Sequence, residues 1–164
     1  MEQLIVGKSL EMQLATVLNT LPPAVTVSYM VTRLNEGEEA TIVASSKETI
    51  VHTGASMVKT LILEYVFHLA AQEQLDINDT IALHRSPRVE GAGALMELAG
   101  NHSFSYLELC RLMMVLSDNW ATNLLMQALG MENINARAEQ LGLEHFEINR
   151  MMMDFKGAQE NREN

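Results

Sequence analysis

The sequence is poor in cysteine, in aromatic residues and in positive charge, and the shortages of cysteine and of positive charge each remove a class of protein. Cys110 is the only cysteine, so no disulfide forms within the chain. It lies in an apolar helical stretch and reads as a small core residue. Aromatic residues make up 5% of the chain. Lys and Arg total 11 against 21 Asp and Glu, a formal net charge of -10. A nucleic acid or an anionic membrane needs a basic face, so neither is expected as a partner. No apolar run approaches the length of a bilayer-spanning helix. The first residues, Met1 to Val6, lack a basic stretch followed by a long apolar one, so no signal peptide is read. That places the protein in the cytoplasm as written, or outside it if a leader has been removed. The histidines His52, His68, His84, His102 and His145 show no i, i+4 pair, so neither a metal site nor any other cofactor is expected.

What is present is a chain of 164 residues, 48% hydrophobic, enough for one domain with a real core. Apolar spacing near 3.6 predicts a helix over Leu10 to Leu18, stopped by Leu21-Pro22-Pro23. Val25 to Val31 and Ala40 to Ala44 read as strands. Asn35-Glu36-Gly37-Glu38 reads as the turn between them. From Ser56 the texture becomes helical. Ser56 to Gln72 is apolar nearly all round and is expected inside the fold. Ile77 to Gly93 reads as a long irregular connection, with Gly91-Ala92-Gly93-Ala94 a flexible loop beside a cleft. Ser105-Tyr106-Leu107-Glu108 is a capping box opening a helix to about Leu116. Helices from about Trp120 to Leu129 and from about Glu132 to Leu141 follow, ended by Gly130 and Gly142. The tail from Phe155 is polar and carries no core pattern. The expected class is α+β: a first part, 1–52, of one helix and two strands, and a mostly helical second part, 53–164. No later stretch reads as a strand, so the sheet is expected to be incomplete and antiparallel.

Two clusters carry chemistry. In Ser56-Met57-Val58-Lys59 a hydroxyl and an amine lie three apart at the start of a buried helix and face one way. A serine hydroxyl is a poor nucleophile until a base takes its proton, and a lysine is that base only when burial lowers its pKa. The helix start adds backbone N–H groups that stabilise a developing oxyanion. The bland alternative is a capping serine and a snorkelling lysine. Ser117-Asp118-Asn119 falls in a break between two helices, where a hydroxyl and an amide project together. Here too the residue types are those of ordinary caps and turns. Gly7-Lys8-Ser9 hints at a phosphate loop, but Glu2 stands where that motif needs glycine. Glu64 and His68, one turn apart, read as a satisfied polar pair. The methionines Met113, Met114 and Met151 to Met153 read as core filler.

Taken together, S-x-x-K at a buried helix start and S-D-N in a later helix break resemble the signature of class A β-lactamases and penicillin-binding proteins. The stretches Ser105 to Cys110, Asn119 to Leu125 and Leu141 to Arg150 resemble the same family. The resemblance covers about Val25 to the C-terminus. It implies a β-lactamase/transpeptidase-like fold with Ser56 as the acylated nucleophile and Lys59 as the group that accepts its proton. It implies that Ser117 passes a proton to the β-lactam nitrogen and that Asn119 binds the substrate side chain. Asp118 is implied to be structural, and the Ser56 N–H to be half of the oxyanion hole. The implied partner is a small β-lactam or an acyl-D-Ala-D-Ala-like substrate.

The sequence departs from the family in two places. Class A enzymes carry Arg-x-Glu-Pro in the omega loop, whose glutamate activates the deacylating water. Here the stretch reads Arg150-Met151-Met152-Met153-Asp154, and Met152 stands at the glutamate position. Asp154 is displaced by two residues, so slow deacylation is expected. The family's later Lys-Thr/Ser-Gly motif has no counterpart. The sequence is therefore expected to be a truncated portion, inactive alone, and prone to dimerise or swap through an uncovered sheet edge. Three functions remain open: a β-lactamase, a D-alanyl-peptide hydrolase or esterase of the same superfamily, and a non-catalytic binding module derived from one.

Overall fold

The computed structural model describes residues 9–34, 36–37 and 39–159. Met1 to Lys8, the turn residues Asn35 and Glu38, and 160–164 lie outside them, so the phosphate-loop hint and the end of the polar tail are not described. The chain forms two compact units that divide between His52 and Thr53.

The first unit holds α1 (Leu10–Leu18), β1 (Tyr29–Arg33) and β2 (Thr41–Ser46). Ser9 caps α1 by accepting from the Met12 N–H at 3.4 Å, and no residue of α1 is buried. The two strands pair antiparallel, Tyr29 against Ser46 and Arg33 against Thr41, with a register shift between Val31 and Thr32. The first strand starts later than its β-branched pattern predicts. Val25 is instead held by a turn, its N–H donating to Pro22 O at 2.9 Å. β2 ends at Ser46, opposite Tyr29, and leaves the earlier residues without a ladder.

The second unit contains α2 (Val58–Ala71), β3 (Thr80–Ala82), β4 (Ser103–Ser105), α3 (Tyr106–Val115), α4 (Asn119–Leu129), α5 (Met131–Gln140) and α6 (Phe155–Gln159). One core joins α2 to α5: Val58, Ile62, Leu109, Met113, Leu124, Leu125 and Ile134 are all buried within it. α3 opens with the expected capping box. The Ser105 hydroxyl accepts from the Glu108 N–H while the Glu108 carboxylate accepts from the Ser105 N–H. Gly130, at φ +83, closes α4 with a backbone conformation that disfavours side chains.

Four expectations are corrected. The irregular stretch after Ile77 contains β3, which pairs antiparallel with β4 through Ile81 and Phe104, so the chain has a second small sheet. These strands are three residues long and too short for an alternation signal. The tail forms α6, where Gly157 is buried. α2 is not enclosed on every side, because Met57 just before it and Phe67 within it are 73% and 46% exposed. Of the methionines, Met113 is core and Met114 is exposed.

Candidate active site

The site begins at a turn before α2. Ala55 sits at φ +44, a left-handed conformation that costs a residue with a side chain energy. It turns the chain into a 3-10 turn, Ala55–Met57, that runs directly into α2. Ser56 therefore stands exposed at the head of the helix, and Lys59 one turn later is 3% exposed.

The Lys59 amine is enclosed by the bend between α3 and α4. Its Nζ donates to Ser117 O and Ser117 Oγ, each at 2.8 Å, and to Asn119 Oδ1 at 3.2 Å. An ammonium has three hydrogens, so these three oxygens use them all. Ser117 presents both oxygens from a left-handed backbone at φ +54. Burial lowers the Lys59 pKa from its ordinary value, and the nearby Asp118 carboxylate opposes part of that shift. The structure thus brings Lys59, Ser117 and Asn119 together. Ser56 shares the helix head but is not among the three partners of the amine.

The bend is locked by residues that sequence reasoning treated as a flexible loop. Asp118, 1% exposed, accepts from the Ala94 and Leu95 N–H groups through Oδ2 at 2.7 and 2.9 Å. Through Oδ1 it accepts from the Ala121 N–H at 2.9 Å, capping α4. The Asn119 N–H donates to Ala92 O at 3.0 Å. Gly93, at φ +127, lies so close that a Cβ there would meet the Asp118 carboxylate at 2.3 Å. The loop is a brace, and the paired glycines Gly91 and Gly93 were the available sequence signal for close backbone approach.

The stretch from Ile148 to Met153 is held from behind by two helical asparagines. Asn123 accepts from the Met152 N–H at 2.8 Å and donates to Met152 O at 3.1 Å. Asn135 treats Ile148 the same way, at 2.8 and 3.1 Å. Asparagine inside a helix is a weak sign of such a tertiary role, since it forms helix poorly. Arg150 is half-buried in this stretch. Asp154 accepts from the Gly157 N–H at 2.9 Å and so caps α6. Neither is a partner of Lys59. A cleft of about 440 Å³ lies between 88–91 and 152–155.

Two other polar groups differ from expectation. Glu64 pairs with Arg137 of α5 through a forked ion pair, which lowers the Glu64 pKa; this is its main partner rather than His68. Burial pushes the Cys110 thiol up to about 11, which leaves it unreactive at neutral pH. Among the described residues no group of three or more His, Cys, Asp or Glu could hold a metal ion. Also among them, no helix is long and apolar enough to cross a membrane.

Comparison with known proteins is consistent with this geometry. The solved structure of PBP-A matches with a TM-score of 0.71 at 26% identity over 88% of this chain and 54% of that one. A PBP-A mutant, solved as an acyl-enzyme complex with penicillin G, matches at TM-score 0.75 and 26% identity, covering 90% of this chain and 54% of its own. A β-lactamase from Sphaerobacter thermophilus matches at TM-score 0.66 and 25% identity, over 76% of this chain and 45% of that one. The chain spans about half the length of these structures. No curated protein matches it. The sequence model described as the beta-lactamase enzyme family matches residues 9–164. The fold is α+β and β-lactamase/transpeptidase-like, and the chain belongs to the beta-lactamase enzyme family.

Proposed function

We propose that this chain carries the acylating half of a serine hydrolase that opens β-lactams or related acyl substrates through an acyl-Ser56 intermediate. One observation carries the reading: the Lys59 amine is buried among Ser117 O, Ser117 Oγ and Asn119 Oδ1. Deprotonated, it keeps two hydrogens and gains a lone pair. Ser56 Oγ attacks the lactam carbonyl carbon, its proton passes to Lys59 directly or through water, and the carbon–nitrogen bond of the ring breaks. Ser117 Oγ, touching the amine, relays a proton from Lys59 to the departing nitrogen. The Ser56 N–H at the helix head supplies one donor to the oxyanion. Asn119 spends its oxygen on Lys59 and keeps its amide nitrogen for a substrate carbonyl. The penicillin G complex of the PBP-A mutant supports a β-lactam as the substrate class.

A specific feature favours slow release of the acyl group. Met152, whose main chain Asn123 clamps, offers a thioether that takes no proton from water. Asp154 is engaged as the cap of α6. This favours a penicillin-binding, peptide-hydrolase-like role over rapid β-lactam turnover. The test is intact mass and peptide mapping of the full-length protein after incubation with penicillin G. The reading expects a persistent adduct on Ser56 that is absent in Ser56→Ala. Hydrolysed drug with no adduct would mean efficient turnover, and neither adduct nor hydrolysis would favour a binding module. Among the described residues β1 and β2 pair only with each other, which supports self-association through an unpaired edge, read by sedimentation at rising concentration.

A further inference from the structure

Asn119 is buried, and its two side-chain atoms have different fates. Oδ1 accepts from Lys59. Among the described residues Nδ2 donates no hydrogen bond, so it is a spare donor beside the Lys59 cluster. What stands over it is defined by Gly91. A Cβ placed on Gly91 would lie 2.9 Å from Asn119 Nδ2, 3.3 Å from Met153 Cε and 3.5 Å from Met153 Sδ. The amide nitrogen and the methionine tip therefore crowd one point, which stays open because residue 91 has no side chain. Met153 also lines the cleft of about 440 Å³ with Arg88, Val89, Met152 and Phe155.

The backbone fixes Met153 while its side chain stays adaptable. Its φ is +62, and the preceding residue is held in both directions by Asn123. Three rotatable bonds let the unbranched thioether swing without moving the loop. We infer that the Met153 side chain is a gate between this cleft and the Asn119 amide, and that it selects substrates whose side chain is slim next to its carbonyl. The inference rests on the reading of Asn119 as the amide that receives the substrate. Met153 is a positioning and selectivity residue in it, with no part in proton transfer. A side chain branched beside its carbonyl would have to displace the thioether further than a slim one.

Met153→Ala tests this, because alanine meets the same backbone demand at φ +62 and removes only the gate. The first readout needs no reaction. In ¹⁵N-labelled full chain, the Asn119 side-chain amide should show a nuclear Overhauser contact to the Met153 methyl. Its exchange with water should speed by about tenfold in Met153→Ala and stay near wild type in Met153→Leu, which keeps the volume. The Met152 N–H, bonded to Asn123, should exchange at an unchanged rate. Equal Asn119 exchange in all three proteins would overturn the gate, and so would a Met152 N–H that speeds in parallel, since the loop would then merely have loosened. The second readout is acylation by penicillin G, unbranched beside its side-chain carbonyl, against methicillin, whose side-chain carbonyl joins an aromatic ring flanked by two methoxy groups. Opening the gate should raise the rate for methicillin relative to penicillin G by about tenfold. An unchanged ratio overturns the gate. Absence of acylation in every protein overturns the proposed function alone, and the exchange data then decide the gate.

Discussion

The two units are similarly rich in apolar residues and differ in what they enclose. In the helical unit the apolar residues of α2, α3, α4 and α5 meet in one core, and the polar groups of the site are buried against its edge. In the hairpin unit Ala44 is buried, while Val17, Met30 and Ile42 are 62%, 52% and 56% exposed. Apolar composition alone does not tell these regions apart. The contrast teaches that a reactive site needs a surrounding that is already rigid. An amine kept in a low-dielectric pocket by three oxygens stays there only if those oxygens cannot move. In this chain the rigidity comes from Asp118 and its brace.

The sharpest way to break the contrast is to remove that brace. Asp118→Ala would leave three backbone N–H groups without their acceptor. At ~1–3 kcal/mol for each buried donor left unpaired, a loss of ~3 kcal/mol or more in urea unfolding is expected. A loss below about 1 kcal/mol would mean the brace is ornamental. Next, Leu124→Ala in the core should cost about 2–5 kcal/mol. In the hairpin unit Val17→Ala should stay within about 0.5 kcal/mol. Equal costs for Leu124→Ala and Val17→Ala would erase the distinction.

A smaller effect sharpens the comparison inside the helical unit. The Glu64–Arg137 pair holds the Glu64 pKa below its usual value, so its stabilisation is present above pH 4.5 and is lost as pH falls through the depressed value. Glu64→Gln should therefore lower the melting temperature slightly at neutral pH, since the pair is partly exposed. The gap between the two proteins should close in acid. A gap that widens in acid would contradict the assigned sign.

What the sequence made legible follows from the range of the interactions. The capping box at Ser105 and Glu108 and the stop at Gly130 involve neighbours along the chain, and α3 and α4 were readable to within a residue or two. Ile81 against Phe104, Asp118 against Ala94 and Glu64 against Arg137 join residues far apart, and local periodicity carries no trace of them. The site was partly legible. The types and spacing of Ser56, Lys59, Ser117 and Asn119 could be read, because the proposed removal of a proton from serine would demand a narrow set of side chains. Gly91 and Gly93 signalled a close backbone approach, but their partners, Asp118 and Met153, could not be read, because those contacts arise from tertiary approach.

The central claim is that burial lowers the Lys59 pKa, so that the amine can be neutral and accept a proton. Titrating ¹³Cε-labelled lysine by NMR, with Lys59→Arg to assign the resonance, measures this without requiring any reaction. The account predicts a Lys59 midpoint clearly below 10.5, the ordinary lysine value. A midpoint at or above that value would mean that the three oxygens hold a permanent ammonium, and Lys59 could not serve as the base.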